Sequence, residues 1–413
     1  MERRKIKDLI SDNAILEVQD GNHGEKHPTA ADYVEDGIPF LMARDLQNGQ
    51  VDLNAACKIP KSLGDSLRIG FARTGDVLLT HKGSVGLVAL VPEVPAYVML
   101  TPQVTYYRTN PAKLSNSYLK YAFQAPFFRD QLNSFSAQST RPYIGITAQK
   151  ELQLDVPPLP VQRRIASILS AYDDLIENSQ RRIRILETMA RALYREWFVH
   201  FRFPGHENHP RVASPLGEIP QGWEVKKLGE IAEDMRRNVP KGELEEPKPY
   251  VGLEHIPRRS LALDAWETAT ELGSNKLEFK KGEVLFGKIR PYFHKVSVAP
   301  FDGLCSADTI VIRARRPEHY AVVVACVSSD AFVAEASATA NGAKMPRANW
   351  DVLEKYQVVV PNGKVAAKFS ALFADIIAQQ QALVCQIQNL RRTRDLLLPR
   401  LLSGQVELET EGA

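Results

Sequence analysis

The chain of 413 residues is marked first by what it lacks. No apolar run approaches the roughly 20 residues that a membrane-spanning helix needs. The opening Met1-Glu2-Arg3-Arg4-Lys5-Ile6-Lys7-Asp8 has no apolar core of the kind a secretory leader carries, so the expected compartment is the cytoplasm. The four cysteines, Cys57, Cys305, Cys326 and Cys385, are scattered and form no Cys-x-x-Cys pair, which argues against a disulfide framework and against zinc. Nine histidines show no metal spacing, and His206 and His209 fall in a linker. Gly-x-Gly-x-x-Gly is missing, and so is a Gly-Lys-Ser/Thr phosphate loop; Lys82-Gly83-Ser84 has the wrong order and spacing. No catalytic residue, metal ligand or cofactor site is therefore assigned. Excess charge is scarce too. A net charge of +3 means that any anionic polymer would have to be met by locally concentrated basic residues or by a partner's.

What is present is periodicity. After Val156-Pro157-Pro158-Leu159-Pro160, about forty residues run without Pro or Gly, and their apolar residues recur in sevens. One series is Leu169, Ile176, Ile183, Ala190 and Trp197. The other is Ile165, Tyr172, Ser179, Leu186 and Leu193, offset to the a/d pattern of a coiled coil. Adding 204 to each number brings the pattern back as Phe369, Ile376, Leu383, Leu390 and Leu397, with Phe373, Gln380, Ile387, Arg394 and Leu401. Each helix should be roughly 55–60 Å long. Stripes of that length need covering, and the simplest cover for one is the other. The plainer alternative is that each helix packs on its own domain.

The repeat extends outside the helices. Ile6–Ile10 answers Leu228–Ala232, Pro39-Phe40-Leu41 answers Pro249-Tyr250-Val251, and Gly75-Asp76-Val77-Leu78 answers Gly282-Glu283-Val284-Leu285. Pro142 and Pro346 lie 204 apart, as do Val156-Pro157 and Val360-Pro361. The expected architecture is α+β. Two mixed α/β domains are separated by two long helices paired as an antiparallel coiled coil, a module duplicated about a pseudo-twofold axis. The boundaries read as a first domain over 1–156, a central helix over 157–203, a second domain with its linker and re-entry segment over 204–360, a C-terminal helix over 361–405 and a tail over 406–413. The helix-pairing residues are Ile165, Leu169, Tyr172, Ile176, Ile183, Leu186, Leu193 and Trp197 on one side. On the other they are Phe369, Phe373, Ile376, Leu383, Ile387, Leu390, Leu397 and Leu401.

Four stretches together resemble the specificity subunit of bacterial type I restriction–modification systems. They are Val156-Pro157-Pro158-Leu159-Pro160-Val161-Gln162, Trp197-Phe198-Val199-His200-Phe201-Arg202-Phe203-Pro204-Gly205, Leu216-Gly217-Glu218-Ile219-Pro220-Gln221-Gly222-Trp223-Glu224-Val225, and Leu401-Leu402-Ser403-Gly404. None is diagnostic alone; their order and the two-module layout carry the likeness. It implies two target-recognition domains, each reading one half of a bipartite double-stranded DNA sequence. It also implies helices that space the domains and dock two DNA-methyltransferase subunits, with restriction subunits completing the assembly. S-adenosylmethionine is expected in the partner methyltransferase and no cofactor here, and the subunit itself catalyses nothing. Asp155-Val156-Pro157-Pro158 matches the Asp-Pro-Pro-aromatic motif of amino-methyltransferases only superficially, since an extra residue intervenes and no aromatic follows. In the second copy Pro361-Asn362-Gly363-Lys364 replaces the proline-rich lead, and Asn362 is a candidate N-cap.

The DNA-reading candidates are basic or amide residues on turns beside strands. The first domain offers Lys82 and Ser84 in Thr80–Gly86, and Gln138, Thr140 and Arg141 in Ser136–Arg141. The second offers Lys288, Arg290, Tyr292, His294 and Lys295 in Gly287–Lys295, and Lys344 and Arg347 in Asn341–Arg347. Lys82 and Arg290 occupy matching places in the two copies, and an Arg can bond bidentately to guanine. Because the loops share few identities, the two half-sites should differ and the target should be asymmetric. The competing reading from another class is a non-enzymatic coiled-coil scaffold with two protein-binding globular ends.

Overall fold

The computed structural model describes residues 2–136, 142–361, 363–406 and 408. The chain forms two compact units. One consists of Met1–Asp174 with Arg391–Ala413, the other of Leu175–Leu390. Each unit thus holds one mixed domain and a stretch of both long helices. The division differs from chain order: the last turns of the C-terminal helix belong with the first domain.

The central helix covers Leu159–Tyr194 and continues into a π-helical turn, Arg195–Val199. Pro160 is tolerated near its start, where backbone N–H groups have no intrahelical partner. It ends where Phe201 turns left-handed, at φ 55°, before Pro204. The C-terminal helix covers Gly363–Leu402. Gly404, at φ 75°, ends it. The Gly404 N–H bonds Leu401 O at 3.3 Å and the Gln405 N–H bonds Arg400 O at 3.0 Å, the paired closure of a Schellman motif.

Within each unit the helices run antiparallel. In the second unit Trp197 and Phe198 pack on Phe369, with ring centres 5.7 and 4.6 Å apart, while Ile176 and Ile183 meet Leu383, Val384 and Ile387. In the first unit Ile165 and Leu169 share a cluster with Leu398, Leu401 and Leu402. Leu186, Leu193, Leu390 and Leu397 lie half-buried at the edges of these clusters, Ile376 and Phe373 are buried, and Tyr172 is half-buried outside them. The buried face is wider than a two-position seam, for Ile377, Val384, Leu398 and Leu402 are buried beside the expected residues. The helices therefore pack on their domains as well as on each other. Phe369, Phe373 and Ile377 enter the core with Val322–Val327, and Leu401 and Leu402 enter the core with Ile6, Leu9 and Tyr118. Each such side chain contributes about 1.5–3 kcal/mol of burial.

The two domains repeat one topology. In the first, strands Ile15–Asp20, Val104–Thr109, Val77–Thr80 and Val88–Leu90 lie side by side in that order; in the second, Ala232–Asp234, Thr309–Ala314, Val284–Gly287 and Val296–Val298 do so. Each domain has a second sheet containing one parallel pair, Ile38–Leu41 with Val98–Leu100 and Gly242–Val251 with Gly303–Ser306. An entry strand pairs with the strand that leads back to a helix, Glu2–Lys5 with Gln153–Val156 and Glu224–Lys227 with Gln357–Val360. The turns at Gly75-Asp76 and Gly282-Glu283 also match. Both glycines are left-handed, and each acid takes a backbone N–H three residues back and an arginine from the sheet, Arg108 or Arg237.

Two joints fasten domain to helix. In the first unit Asp173 of the central helix accepts from Lys120 Nζ at 2.9 Å, Tyr121 Oη at 2.6 Å and Arg394 Nη1 at 2.7 Å. The sequence pattern assigned Arg394 to an apolar seam; it is instead one cation of an ion triad in which Lys120 is buried and Asp173 and Arg394 are half-buried. Burial would raise the Asp173 pKa, but these partners outweigh burial and hold the carboxyl below its ordinary value. In the second unit Glu187, which is buried, turns Oε1 to the Ser260 hydroxyl and to the backbone N–H groups of Leu261 (2.8 Å) and Ala262 (3.4 Å). Burial dominates there and raises its pKa.

No single described helix is long and apolar enough to cross a membrane. The bent pair Pro317–Val327 and Asp330–Ala338 comes nearest by composition, but Val322–Val327, Phe332 and Val333 lie in the core of the second unit.

Candidate nucleic-acid interface

The two domains build the same corner. The hairpin of Val77–Thr80 and Val88–Leu90 encloses the loop at 81–87, and the hairpin of Val284–Gly287 and Val296–Val298 encloses the loop at 288–295. Each loop is stitched to the segment that returns toward a helix. In the first domain the Gly83 N–H donates to Pro142 O at 3.1 Å and the Ile144 N–H to His81 O at 3.0 Å. In the second, the Arg290 N–H donates to Pro346 O at 2.8 Å and the Ala348 N–H to Lys288 O at 3.0 Å. These bonds fix the equivalence. Arg290 stands where Gly83 stands, and Lys82 matches Ile289, so pairing Lys82 with Arg290 by residue type is out of register by one. The backbone agrees, with φ 77° at Gly83 and 49° at Arg290, then 90° at Gly86 and 53° at His294. The second domain thus places two side chains in left-handed positions filled by glycine in the first, at a cost of roughly 1–2 kcal/mol each.

The candidates then separate by where their side chains go. Lys82 and Ser84 are exposed on the first loop. Arg290 is half-buried, and among the described residues its guanidinium has no hydrogen-bond partner; its carbon lies 5.9 Å from the Phe293 ring centre. Tyr292 is 55% exposed. Lys288 is half-buried and bonds Ala307 O through Nζ at 3.0 Å. Two candidates turn inward. His294 is buried and bonds Ser328 O through Nε2 at 2.9 Å, and burial lowers its pKa. Lys295 donates to Leu253 O, and burial foremost, then Arg258, lowers its pKa. Both close the loop from within and present no free cation to a ligand.

The second candidate segment closes on itself, with Arg347 N–H to Asn341 O at 2.8 Å and Asn341 N–H to Arg347 O at 3.0 Å. Lys344 and Met345 are exposed at its tip. Arg347 is exposed, with Nε 3.5 Å from Asp308 Oδ1, a contact of the kind that contributes about 0–1 kcal/mol. Gln138, Thr140 and Arg141 lie outside the described residues, as does Asn362.

Tyr143, Met345 and Arg258 are not among the candidates expected from the sequence. Tyr143 is 56% exposed, its ring 5.6 Å from that of His81 and 5.9 Å from Lys82 Nζ. Arg258 lies over Phe293 at 4.1 Å. The available signal was the proline pair: Tyr143 follows Pro142 as Arg347 follows Pro346.

Two other clusters have local explanations. Glu254, His255 and Glu267 bring ligand atoms within 4.8 Å of one another. His255 Nδ1, however, accepts the Gly252 N–H at 2.9 Å, so a neutral ring carries its proton on Nε2, which faces Glu267 at 3.2 Å. With Nδ1 occupied and the proton on Nε2, the ring has no lone pair left for a cation. A cavity of about 610 Å³ in the second unit is lined by Glu187, Arg191, Arg259, His294 and Asp330 among others. Its charged groups are matched internally, Arg259 with Asp330 at 2.7 Å and Glu187 with Ser260.

Comparison with known proteins gives a consistent result. A family model for the type I restriction modification DNA specificity domain matches residues 14–188. The type I restriction enzyme MjaIX specificity subunit of Methanocaldococcus jannaschii is 28% identical over 392 residues, covering 90% of this chain and 87% of that one. The EcoDI specificity subunit of Escherichia coli is 24% identical over 362 residues, covering 81% and 78%. A crystal structure of the type I restriction–modification S subunit from M. genitalium matches with a TM-score of 0.55 at 15% identity, over 99% of this chain and 96% of that one, which is a likeness of fold.

Proposed function

We infer that the chain belongs to the specificity-subunit family of type I restriction–modification systems and that it selects the DNA sequence on which partner subunits act while catalysing neither methylation nor cleavage itself. Each domain reads one half of a bipartite target. The observation that carries this reading is the corner built twice on one backbone plan with different side chains: Gly83, Lys82 and Tyr143 in one domain, Arg290, Tyr292 and Arg347 in the other. A shared frame fixes how a duplex is met; differing side chains make the halves differ, so the target is asymmetric.

The helices are the docking surface for two methyltransferase subunits, which bring S-adenosylmethionine; restriction subunits join that core. Leu175, Ile185 and Met189 are exposed on the central helix at spacings that share one face, an apolar patch suited to a partner helix.

A map of N6-methyladenine across the host genome, with and without the gene, tests this reading. Loss of methylation at one two-part asymmetric motif is the expected result. An unchanged map in cells that express the system would overturn it and favour a protein-binding scaffold.

A further inference from the structure

The matched corners single out the positions that set the difference between the half-sites. It rests on the DNA-reading function proposed above. Two backbone positions in each domain are locked together by the same hydrogen bond: 83 with 142 in the first and 290 with 346 in the second. The residue after each proline, Tyr143 or Arg347, therefore projects from an equivalent place. Both are exposed. Around this point the buried frame is conserved between the domains in geometry, while the projecting chemistry is not.

The ring of Tyr143 has a built seat. His81 and Lys82 flank it, and Gly145 leaves room for it, since a Cβ there would lie 3.2 Å from Tyr143 Oη. An exposed aromatic held this way presents a flat apolar surface with one hydroxyl, and no forked pair of donors. In the second domain the same place carries a guanidinium, and Arg290 adds another on a left-handed residue where glycine would be free of strain. Strain retained at a half-buried arginine whose guanidinium has no hydrogen-bond partner among the described residues points to use of that side chain. Guanidinium forks match the O6 and N7 acceptors of guanine, whereas an apolar ring suits the methyl group of thymine.

We propose that residues 143 and 347, assisted at 290, are the paired specificity-determining positions: Arg347 and Arg290 take guanine in one half-site, and Tyr143 takes thymine at the matching step of the other. The test uses the full chain assembled with its methyltransferase partner, acting on a plasmid library randomised in both half-sites, with methylated sites read by sequencing. Arg347→Tyr should lower the preference for guanine in one half-site by about tenfold or more and leave the other half-site unchanged. Tyr143→Arg should raise guanine preference in the opposite half-site, and Tyr143→Ala should broaden the choice there. Arg290→Gly separates reading from folding: discrimination at its half-site should fall about tenfold while the Tm of the complex stays level or rises. A lower Tm for Arg290→Gly with equal loss of methylation at every site would make the residue structural and overturn its role. A wild-type bipartite motif whose base preferences survive all four substitutions would overturn the proposal while leaving the proposed function standing. A wild-type complex that methylates no bipartite motif would sink both.

Discussion

The two joints between domain and helix solve one problem by opposite means. Both place a carboxylate of the central helix inside the protein. Asp173 is neutralised by two cations and a phenol. Glu187 meets a hydroxyl and two backbone N–H groups. Charged partners compensate burial more fully than dipoles do, which is why Asp173 is driven below its ordinary pKa and Glu187 above. A duplicated fold therefore does not impose duplicated chemistry. The position 204 residues after Asp173 is Ile377, buried in apolar surroundings, so the triad has no copy.

The comparison can be broken most sharply at Asp173. Asp173→Ala leaves the buried Lys120 without its counter-ion and the half-buried Arg394 with Asp395 alone, and should cost about 3–5 kcal/mol, read from urea denaturation. Glu187→Ala leaves the Leu261 N–H without its acceptor, while Ser260 and Ala262 still bond to each other, and should cost less, about 1–3 kcal/mol; Glu187→Gln keeps an acceptor and should recover part of the loss. If the two alanine variants cost the same, the distinction between ionic and dipolar joints fails.

The pH dependence sharpens the same contrast, because the signs oppose. Asp173 has a depressed folded pKa, so its contribution is fully present above the unfolded value near 3.9 and is lost as pH falls through the folded value. Glu187 has a raised folded pKa, so its contribution is fully present below about 4.3 and is lost as pH rises through the folded value. The stability gap between wild type and Asp173→Asn should therefore shrink on acidification below pH 4. The gap between wild type and Glu187→Gln should shrink as pH rises from 4. Parallel curves for the two variants would contradict the opposed shifts. The smallest effect on stability is expected for Ile185→Glu with Met189→Glu, within about 0.5 kcal/mol since both side chains are exposed. Co-purification with the methyltransferase should nonetheless drop, and retained partner binding would exclude that face as the docking surface.

Much of the architecture was open to reading from the residues. A long stretch without Pro or Gly, apolar residues in sevens and an offset of 204 were enough to expect two long helices and a repeated module. What escaped were features that depend on three-dimensional closure. Asp173 and Glu187 look like ordinary solvated helix acids until Lys120 and Ser260 arrive from distant chain. Arg290 was aligned with Lys82 because both are basic, whereas backbone hydrogen bonds place it opposite Gly83; residue type is a poor guide to register where loops differ in length. His294 and Lys295 read as surface cations, and only the fold shows them turned to Ser328 and Leu253. Tyr143 lies two residues past the candidate segment Ser136–Arg141, and only the Gly83 N–H bond to Pro142 O sets it beside Lys82.

The division of the chain also bears on the order of synthesis. A ribosome delivers Met1–Asp174 first, yet that unit is completed only by Arg391 onward, whose Arg394, Leu398, Leu401 and Leu402 fill its ion triad and its core. The continuous unit, Leu175–Leu390, has all its parts earlier, although it begins later. Until residue 402 emerges, the nascent chain carries an open apolar face beside Ile165 and Leu169, the kind of surface on which chaperones act. The half of the molecule that is made first is thus the half that is finished last.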